Sequence, residues 1–471
     1  MSSPPTIYWL RRDLRLADNP ALALACEGGG PVAATFVIDD RLLAPAGATR
    51  VVFLRRCLEE FDRSIGGRLC VRSGEPSVEL AALARELGAR RVVATADFTP
   101  FGRARDLEVQ RRLATLGVEV RYVDSAYAVE PGTVLTASGT ACRVFGAFHR
   151  GWQRETIPGP LAPAEDVTWI SAPSCSLDDL ERGCATTRPW YFADLPDGPA
   201  TAMPVAGEIA AHAQLDRFVA LVDGYDTRRD QPGEDGTSRL SAYLRFGVLH
   251  PRQVLDLVGG ASNGRERYRS ELCWREFYAD VLWHRPESAR RVLQPSLEHL
   301  RVDRDERALE RFGAWARGET GFPIVDAGMR QLLVEGWMHN RVRMIVASFL
   351  VKHLHIDWRW GARWFMWRLV DADLASNQHG WQWTAGTGTD AAPFHRIFNP
   401  TRQAERFDPD GTYVRRYVRE LAAVPAPRCL EPGAGAGLLV APGYVAPIVD
   451  LDDERREAMA RFAASRAMVA P

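Results

Sequence analysis

The first quarter of the chain alternates short apolar runs with amphipathic segments. Within residues 6–125 the runs TIYWL, VAATFVI, RLCVR, RRVVATA and VEVRYV are rich in β-branched residues, which is typical of buried strands. The segments between them have helical periodicity and end in glycine, a common helix stop signal. Because strands that alternate with helices pair in parallel, this pattern predicts a doubly wound parallel sheet.

The character of the chain changes twice after this region. From residue 126 to residue 205 it is rich in Pro, Gly and Ser with few periodic segments, which predicts a long surface connection. From about residue 206, segments such as EIAAHAQLDRFVALVDGY and RYRSELCWREFYADVLWH have helical periodicity. The predicted fold class is therefore α/β followed by all-α. We predict an α/β domain over residues 1–130, an interdomain connection over 131–205 and a helical domain over 206–471.

Composition excludes several classes of protein. A chain of 471 residues with 46% hydrophobic and 25% charged residues is ordinary for a globular protein of two or three domains. The net charge of −1 means that any nucleic-acid contact must come from a local basic face. Eight cysteines without CxxC spacing predict neither a metal site nor a disulfide framework. Without a leader pattern or an apolar run of about 18 residues, we expect a cytoplasmic protein that makes no membrane contact.

One stretch, from Arg363 to Arg406, is hard to explain as ordinary core. Asp371 and Asp373 follow a Trp-rich apolar run, where carboxylates are buried only if they are paired or bound. Trp381 and Trp383 flank one glutamine, and positions two apart on a helix point in nearly opposite directions. The loop GTGTDAAPFHRIFNP that follows has the composition of a shaped site. The alternative is a Trp-rich helical core that ends in a glycine-rich turn.

The same stretch resembles a known family. DADLASNQHGWQW followed by TGTDAAPFHRIFNP is similar to the flavin-site signature of the photolyase/cryptochrome family. WLRRDLRLADNPAL, near the N-terminus, resembles the opening of photolyases, and the resemblance covers nearly the whole chain. It is closest to the class I cyclobutane pyrimidine dimer (CPD) photolyases. It implies an N-terminal antenna domain followed by a helical domain that binds FAD.

The resemblance assigns FAD to several segments. The run YDTRRDQPGEDGTSRLS precedes the apolar helix LSAYLRFG, and amides and hydroxyls at a helix start suit an anion, although an ordinary N-cap is the alternative. A buried Arg343 needs a carboxylate, and Asp371 is its partner in the family arrangement. The residues that the resemblance assigns to FAD are Tyr225, Thr237, Ser238, Arg239, Leu240, Ser241, Arg275, Asn340, Arg343, Asp371, Asp373 and Asn377.

A second set of residues is expected to contact damaged DNA. Glu271, Trp274, Arg275 and Tyr278 lie on one helical face, which is unusual for core; a salt-bridged amphipathic helix is the alternative. Stacking of a base on an aromatic side chain contributes about 1–3 kcal/mol, comparable to the cost of flipping a damaged base. The lesion- or DNA-contacting residues that the resemblance implies are Arg229, Glu271, Trp274, Arg341, Met344, Trp383, Arg396 and Gln403; for the last two, a solvated loop is the alternative.

The catalytic residues that the resemblance implies are Glu271, Asn377, Trp381 and Trp358. Asn377 matches an amide near the reactive flavin nitrogen, where it can donate a hydrogen bond without titrating. Trp381 and Trp358 match the first two of three tryptophans that pass electrons to FAD. The third is missing, because no tryptophan lies between Trp283 and Trp315. Trp360, Trp364 and Trp367 are interpreted as core, and Trp360 is a candidate replacement.

The antenna chromophore is expected to be 8-hydroxy-5-deazaflavin rather than methenyltetrahydrofolate. Folate-binding members carry an Asn-Glu pair before an Arg-Ala-Arg-Asp run, whereas Phe101 and Gly102 stand there in this chain. TPFGRARD is more similar to members that use a deazaflavin. An empty antenna site is the alternative.

The predicted function is light-dependent DNA repair. Excited reduced FAD would donate an electron to a pyrimidine dimer in UV-damaged DNA, the ring would split, and the electron would return. The protein is expected to be a monomer. The alternatives are a cryptochrome-like photoreceptor without repair activity, a (6-4) photolyase and a purely structural or phosphate-binding protein. Glu271, Trp274, Met344, Trp383 and Asn377 favour the CPD enzyme.

Overall fold

The computed structural model describes residues 3–184, 186–432, 441 and 443–467. It divides into two compact units. The first unit comprises Met1–Thr187, Pro204–Asp223 and Ser238–Pro286, and the second comprises Arg188–Met203, Gly224–Thr237 and Glu287–Pro471. The long helix that carries Glu271 and Trp274 thus belongs to the first unit.

A five-stranded sheet forms the core of the first unit. Its strands are β1 (Thr6–Leu10), β2 (Val32–Ile38), β3 (Cys70–Ser73), β4 (Arg91–Thr95) and β5 (Glu119–Val123). They pair in parallel in the order β3-β2-β1-β4-β5, with Ile7 opposite both Ala33 and Val92. All five residues of β1 are buried, as expected for a central strand covered on both faces. The predicted doubly wound sheet is confirmed.

The regular structure outside the sheet is helical, apart from isolated bridges and the loops that connect the helices. The predicted glycine stop at Gly88 is confirmed, since this residue adopts φ +65° and caps its helix, whereas the helices before Gly66 and Gly117 are capped by Ile65 and Thr115. In chain order the first eleven helices are α1 (Pro20–Cys26), α2 (Asp40–Leu43), α3 (Ala48–Ser64), α4 (Pro76–Leu87), α5 (Pro100–Ala114), α6 (Phe145–Trp152), α7 (Asp179–Gly183), α8 (Glu208–Val219), α9 (Tyr225–Arg228), α10 (Ser241–Phe246) and α11 (Pro251–Leu257). The remaining helices are α12 (Asn263–His284), α13 (Glu306–Arg317), α14 (Pro323–Glu335), α15 (Asn340–Lys352), α16 (Trp358–Arg368), α17 (Leu374–Ala385), α18 (Pro400–Phe407), α19 (Thr412–Tyr417) and α20 (Leu451–Ala467).

The core of the second unit is built from large aromatic side chains. Trp315, Trp364 and Phe349 are fully buried there. Gly361 on α16 allows the indole of Trp381 on α17 to approach, because a Cβ at residue 361 would lie 2.1 Å from a ring carbon. Any side chain at this position would push the two helices apart.

Three features of the described chain concern membrane spans, metal ligands and cysteines. None of the described helices is long and apolar enough to cross a bilayer. Within the described ranges, no group of three or more His, Cys, Asp or Glu side chains is arranged to hold a metal ion. All eight cysteines are free thiols.

Candidate active site

An ion pair in the second unit joins α15 to the start of the α17 segment. Arg343 donates from Nη2 to Oδ2 of Asp371 at 2.8 Å and from Nε to the carbonyl of Met338 at 2.8 Å. The predicted pairing of Arg343 with Asp371 is confirmed. The other carboxylate oxygen of Asp371, Oδ1, is buried and has no hydrogen-bond partner in the described part of the chain. A buried acceptor without a donor is costly, so this atom marks a place where a ligand N–H or O–H fits.

The N-terminal turn of α17 presents two of the predicted FAD residues. Asp373 caps the helix, because its carboxylate accepts a hydrogen bond from the Ser376 amide at 3.1 Å. Asn377, one turn later, donates from Nδ2 to the carbonyl of Ala362 at 3.0 Å and to Oε1 of Gln378 at 2.9 Å. Both N–H donors of the side-chain amide are therefore engaged, and its carbonyl oxygen is the group left to accept a hydrogen bond. In this arrangement the amide offers an acceptor, and its predicted donation to the flavin stays a prediction.

The two tryptophans of α17 differ in exposure, as their spacing predicts. Trp381 is 3% exposed and its indole N–H has no partner among the described residues, while Trp383 is half-buried. After the helix the chain folds back on itself, because the amide of Ala392 donates to the carbonyl of Trp383 at 3.1 Å. This contact shapes the predicted loop beside Trp383.

Two of the three arginines predicted to face DNA share one carboxylate. Arg341 donates from Nη2 to Oδ1 of Asp230 at 2.8 Å, and Arg229 has its Nε 3.8 Å from the same oxygen. Arg341 also directs Nη1 to the sulfur of Met344 at 3.8 Å. Asp230 was not predicted as a site residue, because nothing in its local sequence distinguishes it from a solvated acid. Its charge partly neutralises this basic face.

The loop that carries Arg396 is held by the only lysine of the chain. Arg396 is exposed and Gln403, on α18, is half-buried. Lys352 is 1% exposed and donates from Nζ to the carbonyl of Arg396 at 3.1 Å, while the ammonium lies 5.3 Å from the ring centre of Phe394. Burial and the nearby charge of Arg396 lower the pKa of Lys352 to about 7. Sequence reasoning missed this residue, although a lone lysine in an arginine-rich chain was a signal.

In the first unit, the segment before α10 is fixed by contacts from two helices. Tyr268 on α12 donates its hydroxyl to Oγ of Ser238 at 2.9 Å, and Gln214 on α8 donates to the carbonyl of Ser238 at 2.8 Å. Arg239 has φ +52°, an unusual conformation for a residue with a side chain. Leu240 is fully buried and Ser241 is exposed at the helix start. The two predicted residues that precede this segment, Tyr225 and Thr237, lie in the second unit.

The face of α12 predicted to contact the lesion carries an aromatic stack. The indole of Trp274 lies flat against the ring of Phe145 on α6, with ring centres 3.8 Å apart and planes 7° apart. Glu271 lies one turn earlier, 3.6 Å from Nε of Arg267. Arg275 donates to the carbonyls of Ala126 at 2.9 Å and Leu244 at 3.3 Å. Its guanidinium therefore anchors main chain in this structure, and its predicted contact with FAD stays a prediction.

The opposite face of α12 holds a buried carboxylate that sequence reasoning missed. Glu276 accepts hydrogen bonds from the amides of Ala128 and Val129 at 2.6 and 3.1 Å and from the indole of Trp152 at 2.6 Å. Burial raises the pKa of Glu276, although these donors oppose the effect. This carboxylate ties α12 to the chain that leaves the sheet, which is a structural role.

A small cavity lies at the carboxyl ends of β1 and β4, where the strand order of the sheet reverses. Arg11, Thr95 and Asp97 are among the side chains that line it. Arg11 donates from Nη1 to Asp106 at 2.5 Å, but its Nε and Nη2 are buried without a partner in the described chain. Although burial alone would raise it, the charges of Arg105, Arg11 and Arg12 hold the pKa of Asp97 below its usual value. Reversal points of doubly wound sheets are ligand sites.

Comparison with known proteins places the chain in a family. Residues 6–166 match the family described as DNA photolyase, and residues 268–464 match the FAD binding domain of DNA photolyase. The deoxyribodipyrimidine photo-lyase of Agrobacterium fabrum is 40% identical, with 98% of each chain covered.

Two solved structures extend the comparison. A bacterial class III photolyase from Agrobacterium tumefaciens superimposes with a TM-score of 0.91 at 38% identity, covering 99% of this chain and 98% of the other. An archaeal photolyase from Sulfolobus tokodaii, solved with two FAD molecules, gives 0.83 at 29% identity, with 98% of this chain and 100% of the other covered. With both halves matched and near full-length relatives of this similarity, the chain belongs to the photolyase/cryptochrome family.

Proposed function

We propose that the protein repairs cyclobutane pyrimidine dimers in UV-damaged DNA with light, using FAD. The observation that carries the proposal is the pair between half-buried Arg343 and buried Asp371. One carboxylate oxygen of this pair has no partner among the described residues and lies within the segment that matches the FAD-binding domain. Bound reduced FAD supplies light-driven electron transfer, which opens the cyclobutane ring without net oxidation or reduction. The protein supplies binding, orientation and a site for the lesion.

Asp371 and Asn377 are proposed to orient the flavin in the second unit. The Oδ1 of Asp371, which has no partner among the described residues, accepts a hydrogen bond from a ring or ribityl donor, while Arg343 holds the other carboxylate oxygen. The carbonyl oxygen of Asn377 accepts from a protonated ring nitrogen, because its amide donors are held by Ala362 and Gln378. An amide acceptor does not titrate, so it favours the protonated, reduced ring over a wide pH range.

The remaining FAD-binding residues are proposed from the resemblance. Ser238 and Ser241 offer hydroxyls near the start of α10, and Arg239 is held in a left-handed conformation in the same segment. Backbone strain of this kind persists where the surrounding structure fixes it, often at ligand sites. The other residues proposed to bind FAD are Tyr225, Thr237, Leu240, Arg275, Asn340 and Asp373.

Trp274 is proposed to stack on the flipped dimer. One face of its indole is covered by Phe145, so the opposite face is the one available to a base. Because the Phe145 ring holds the indole in place, less side-chain entropy is lost when the lesion binds. Glu271 accepts hydrogen bonds from the dimer, and Met344 and Trp383 contact it. Arg229, Arg341, Arg396 and Gln403 contact the flanking DNA.

The cavity beside Arg11 is proposed to hold part of the antenna chromophore. Two guanidinium nitrogens of Arg11, which have no partner among the described residues, suit an anionic oxygen, as the 8-hydroxyl of a deazaflavin would provide. The missing Asn-Glu pair before Arg103 favours 8-hydroxy-5-deazaflavin over methenyltetrahydrofolate. Extraction of the purified protein and mass spectrometry of the released chromophores identifies the molecule. A folate or a second FAD would contradict this assignment.

The choice of lesion is tested by comparing two substrates. Chemically reduced protein is illuminated with one oligonucleotide that contains a CPD and a second that contains a (6-4) photoproduct. We expect repair of the CPD alone. Repair of the (6-4) product, or tight flavin binding with repair of neither, would overturn the proposal. Gel filtration tests the further proposal that the protein is a monomer.

A further inference from the structure

Aromatic rings of the second unit form a continuous series from Trp381 to the surface. The indole of Trp381 packs edge-on against Trp315, with ring centres 6.1 Å apart. Trp315 stacks on Phe312 at 5.7 Å, and Phe312 contacts Trp360 edge-on at 5.5 Å. Trp360 in turn contacts Trp190 edge-on at 6.4 Å. Neighbouring indoles of the series are therefore in direct contact, except that the ring of Phe312 lies between Trp315 and Trp360.

Exposure to solvent increases along this series. Trp381 is 3% exposed and Trp315 is fully buried, Trp360 is half-buried, and Trp190 is 68% exposed. Trp190 is the only one of the fourteen tryptophans, all within the described ranges, that is exposed. A positive charge on an indole is stabilised by water and disfavoured by burial, so a cation radical is more stable toward the Trp190 end.

The surroundings of the indole N–H groups also favour a radical at the Trp190 end. The N–H of Trp381 has no partner among the described residues, and the N–H of Trp315 donates to the carbonyl of Val346 at 3.0 Å. Both indoles are almost fully shielded from bulk solvent, and neither N–H donates to a titratable side chain of the described chain. At Trp190 water can take the proton, because the ring faces solvent. Loss of the proton there traps the hole at the surface.

We propose that Trp315, Trp360 and Trp190 replace the family's missing third tryptophan as a relay that reduces photoexcited flavin through Trp381. This inference rests on the proposed function, since it assumes FAD beside Trp381. One electron leaves Trp381 for the oxidised flavin, and electrons from Trp315, Trp360 and Trp190 refill the vacancy in turn. The oxidised Trp190 indole releases its N–H proton to water, and an external dithiol returns one electron and one proton to the neutral radical. Two such turnovers together oxidise one dithiol to its disulfide and deliver two electrons to the flavin.

The residues around Trp360 support the relay. Tyr191 stacks on the Trp360 indole with ring centres 4.7 Å apart and planes 18° apart. A stacked electron-rich ring favours a positive charge on its neighbour. Trp190 and Tyr191 belong to a short 3-10 helix, Trp190–Phe192, whose Phe192 is fully buried against Trp364 and Trp367. This anchor fixes the exposed indole beside Trp360.

The test uses the full chain loaded with oxidised FAD, with dithiothreitol as the thiol, under blue light. Trp360→Phe and Trp190→Phe each remove one member of the relay, and Trp169→Phe, a half-buried indole of the first unit, is the control. We expect Trp360→Phe to lose most of the photoreduction rate while it keeps its FAD. Trp190→Phe is expected to lose the long-lived tryptophan radical seen by transient absorption.

A second readout locates the radical independently of flavin chemistry. A nitroso spin trap present during illumination should add to Trp190 in the unmodified chain, and peptide mass spectrometry identifies the adduct. Unchanged photoreduction in both relay variants, an adduct on another indole, or a loss confined to Trp358→Phe would overturn the relay. Repair by chemically reduced protein bypasses the relay, so photoreduction with no repair would refute the proposed function and leave the relay intact.

Discussion

Asp371 accepts a hydrogen bond from Arg343 through one carboxylate oxygen, while the other is buried and has no partner in the part of the chain that the structure describes. If no ligand bound here, this acceptor would only destabilise the folded protein, because a buried polar atom without a partner costs free energy. In a flavoprotein it is an oriented acceptor that a ligand completes. The pair thus connects the fold of the second unit to its cofactor.

Replacement of Asp371 by asparagine should reduce flavin binding. The variant keeps the side-chain shape but removes the charge that pairs with Arg343, and a charged hydrogen bond contributes about 1–3 kcal/mol. We expect a large loss of bound FAD and a lower melting temperature, measured by flavin absorbance per mole of protein and by thermal unfolding. Asp453→Asn, which removes an exposed carboxylate on α20, is the control. Full flavin content in Asp371→Asn would contradict the assigned role.

Truncation of Trp274 should separate lesion binding from cofactor binding. Trp274→Ala removes the surface on which a base stacks, which contributes about 1–3 kcal/mol. We expect weaker binding of CPD-containing DNA by a corresponding factor, with FAD content unchanged, in a fluorescence anisotropy titration. Trp274→Phe keeps an aromatic ring against Phe145 and should retain much of the affinity. If Trp274→Ala instead lost its FAD, this part of α12 would have been misassigned.

Removal of the charge on Asp230 should strengthen electrostatic binding of DNA. Arg229 and Arg341 share this carboxylate, so Asp230→Asn frees positive charge on the face proposed to meet DNA. We expect tighter binding and a steeper dependence of log K on log salt, by up to about one unit if one more phosphate is contacted. Asp226→Asn, an exposed acid of α9, is the matched control. An unchanged salt slope in Asp230→Asn would place these arginines away from the phosphates.

Lys352 should make stability increase with pH above neutrality. Its pKa is about 7 in the folded protein and 10.5 in the unfolded chain, so between these values the unfolded state binds one more proton. Below about pH 7 both states are protonated, and the full cost of burying the ammonium is present. We expect the melting temperature of the unmodified chain to rise more between pH 7 and pH 9 than that of Lys352→Met. Equal changes in both proteins would mean that Lys352 is not the group that titrates.

Local patterns in the sequence predicted those features that depend on residues close together in the chain. The strand and helix alternation predicted the sheet, and the two-residue spacing of Trp381 and Trp383 predicted their different exposure. The Arg343–Asp371 pair was also predictable from the sequence, because it belongs to the family arrangement and an arginine removed from water requires a carboxylate.

Contacts between distant segments were not predictable in this way. Phe145 lies in a connection expected to have few periodic segments, yet it begins helix α6 and stacks on Trp274 far along the chain. Glu276 and Glu271 lie on the same helix, and they differ only in the face of α12 from which the side chain projects. Trp190 begins a short aromatic run, Trp190–Phe192, in the Pro-rich connection, and its contact with Trp360 depends on tertiary packing.

The most direct test of the central claim is a repair assay that compares light with darkness. Chemically reduced protein is mixed with DNA containing cyclobutane thymine dimers, and its absorption spectrum is recorded before blue illumination. We predict a flavin spectrum and loss of dimers in the light only. Bound flavin without light-dependent dimer loss, or the absence of flavin from the purified protein, would contradict the account.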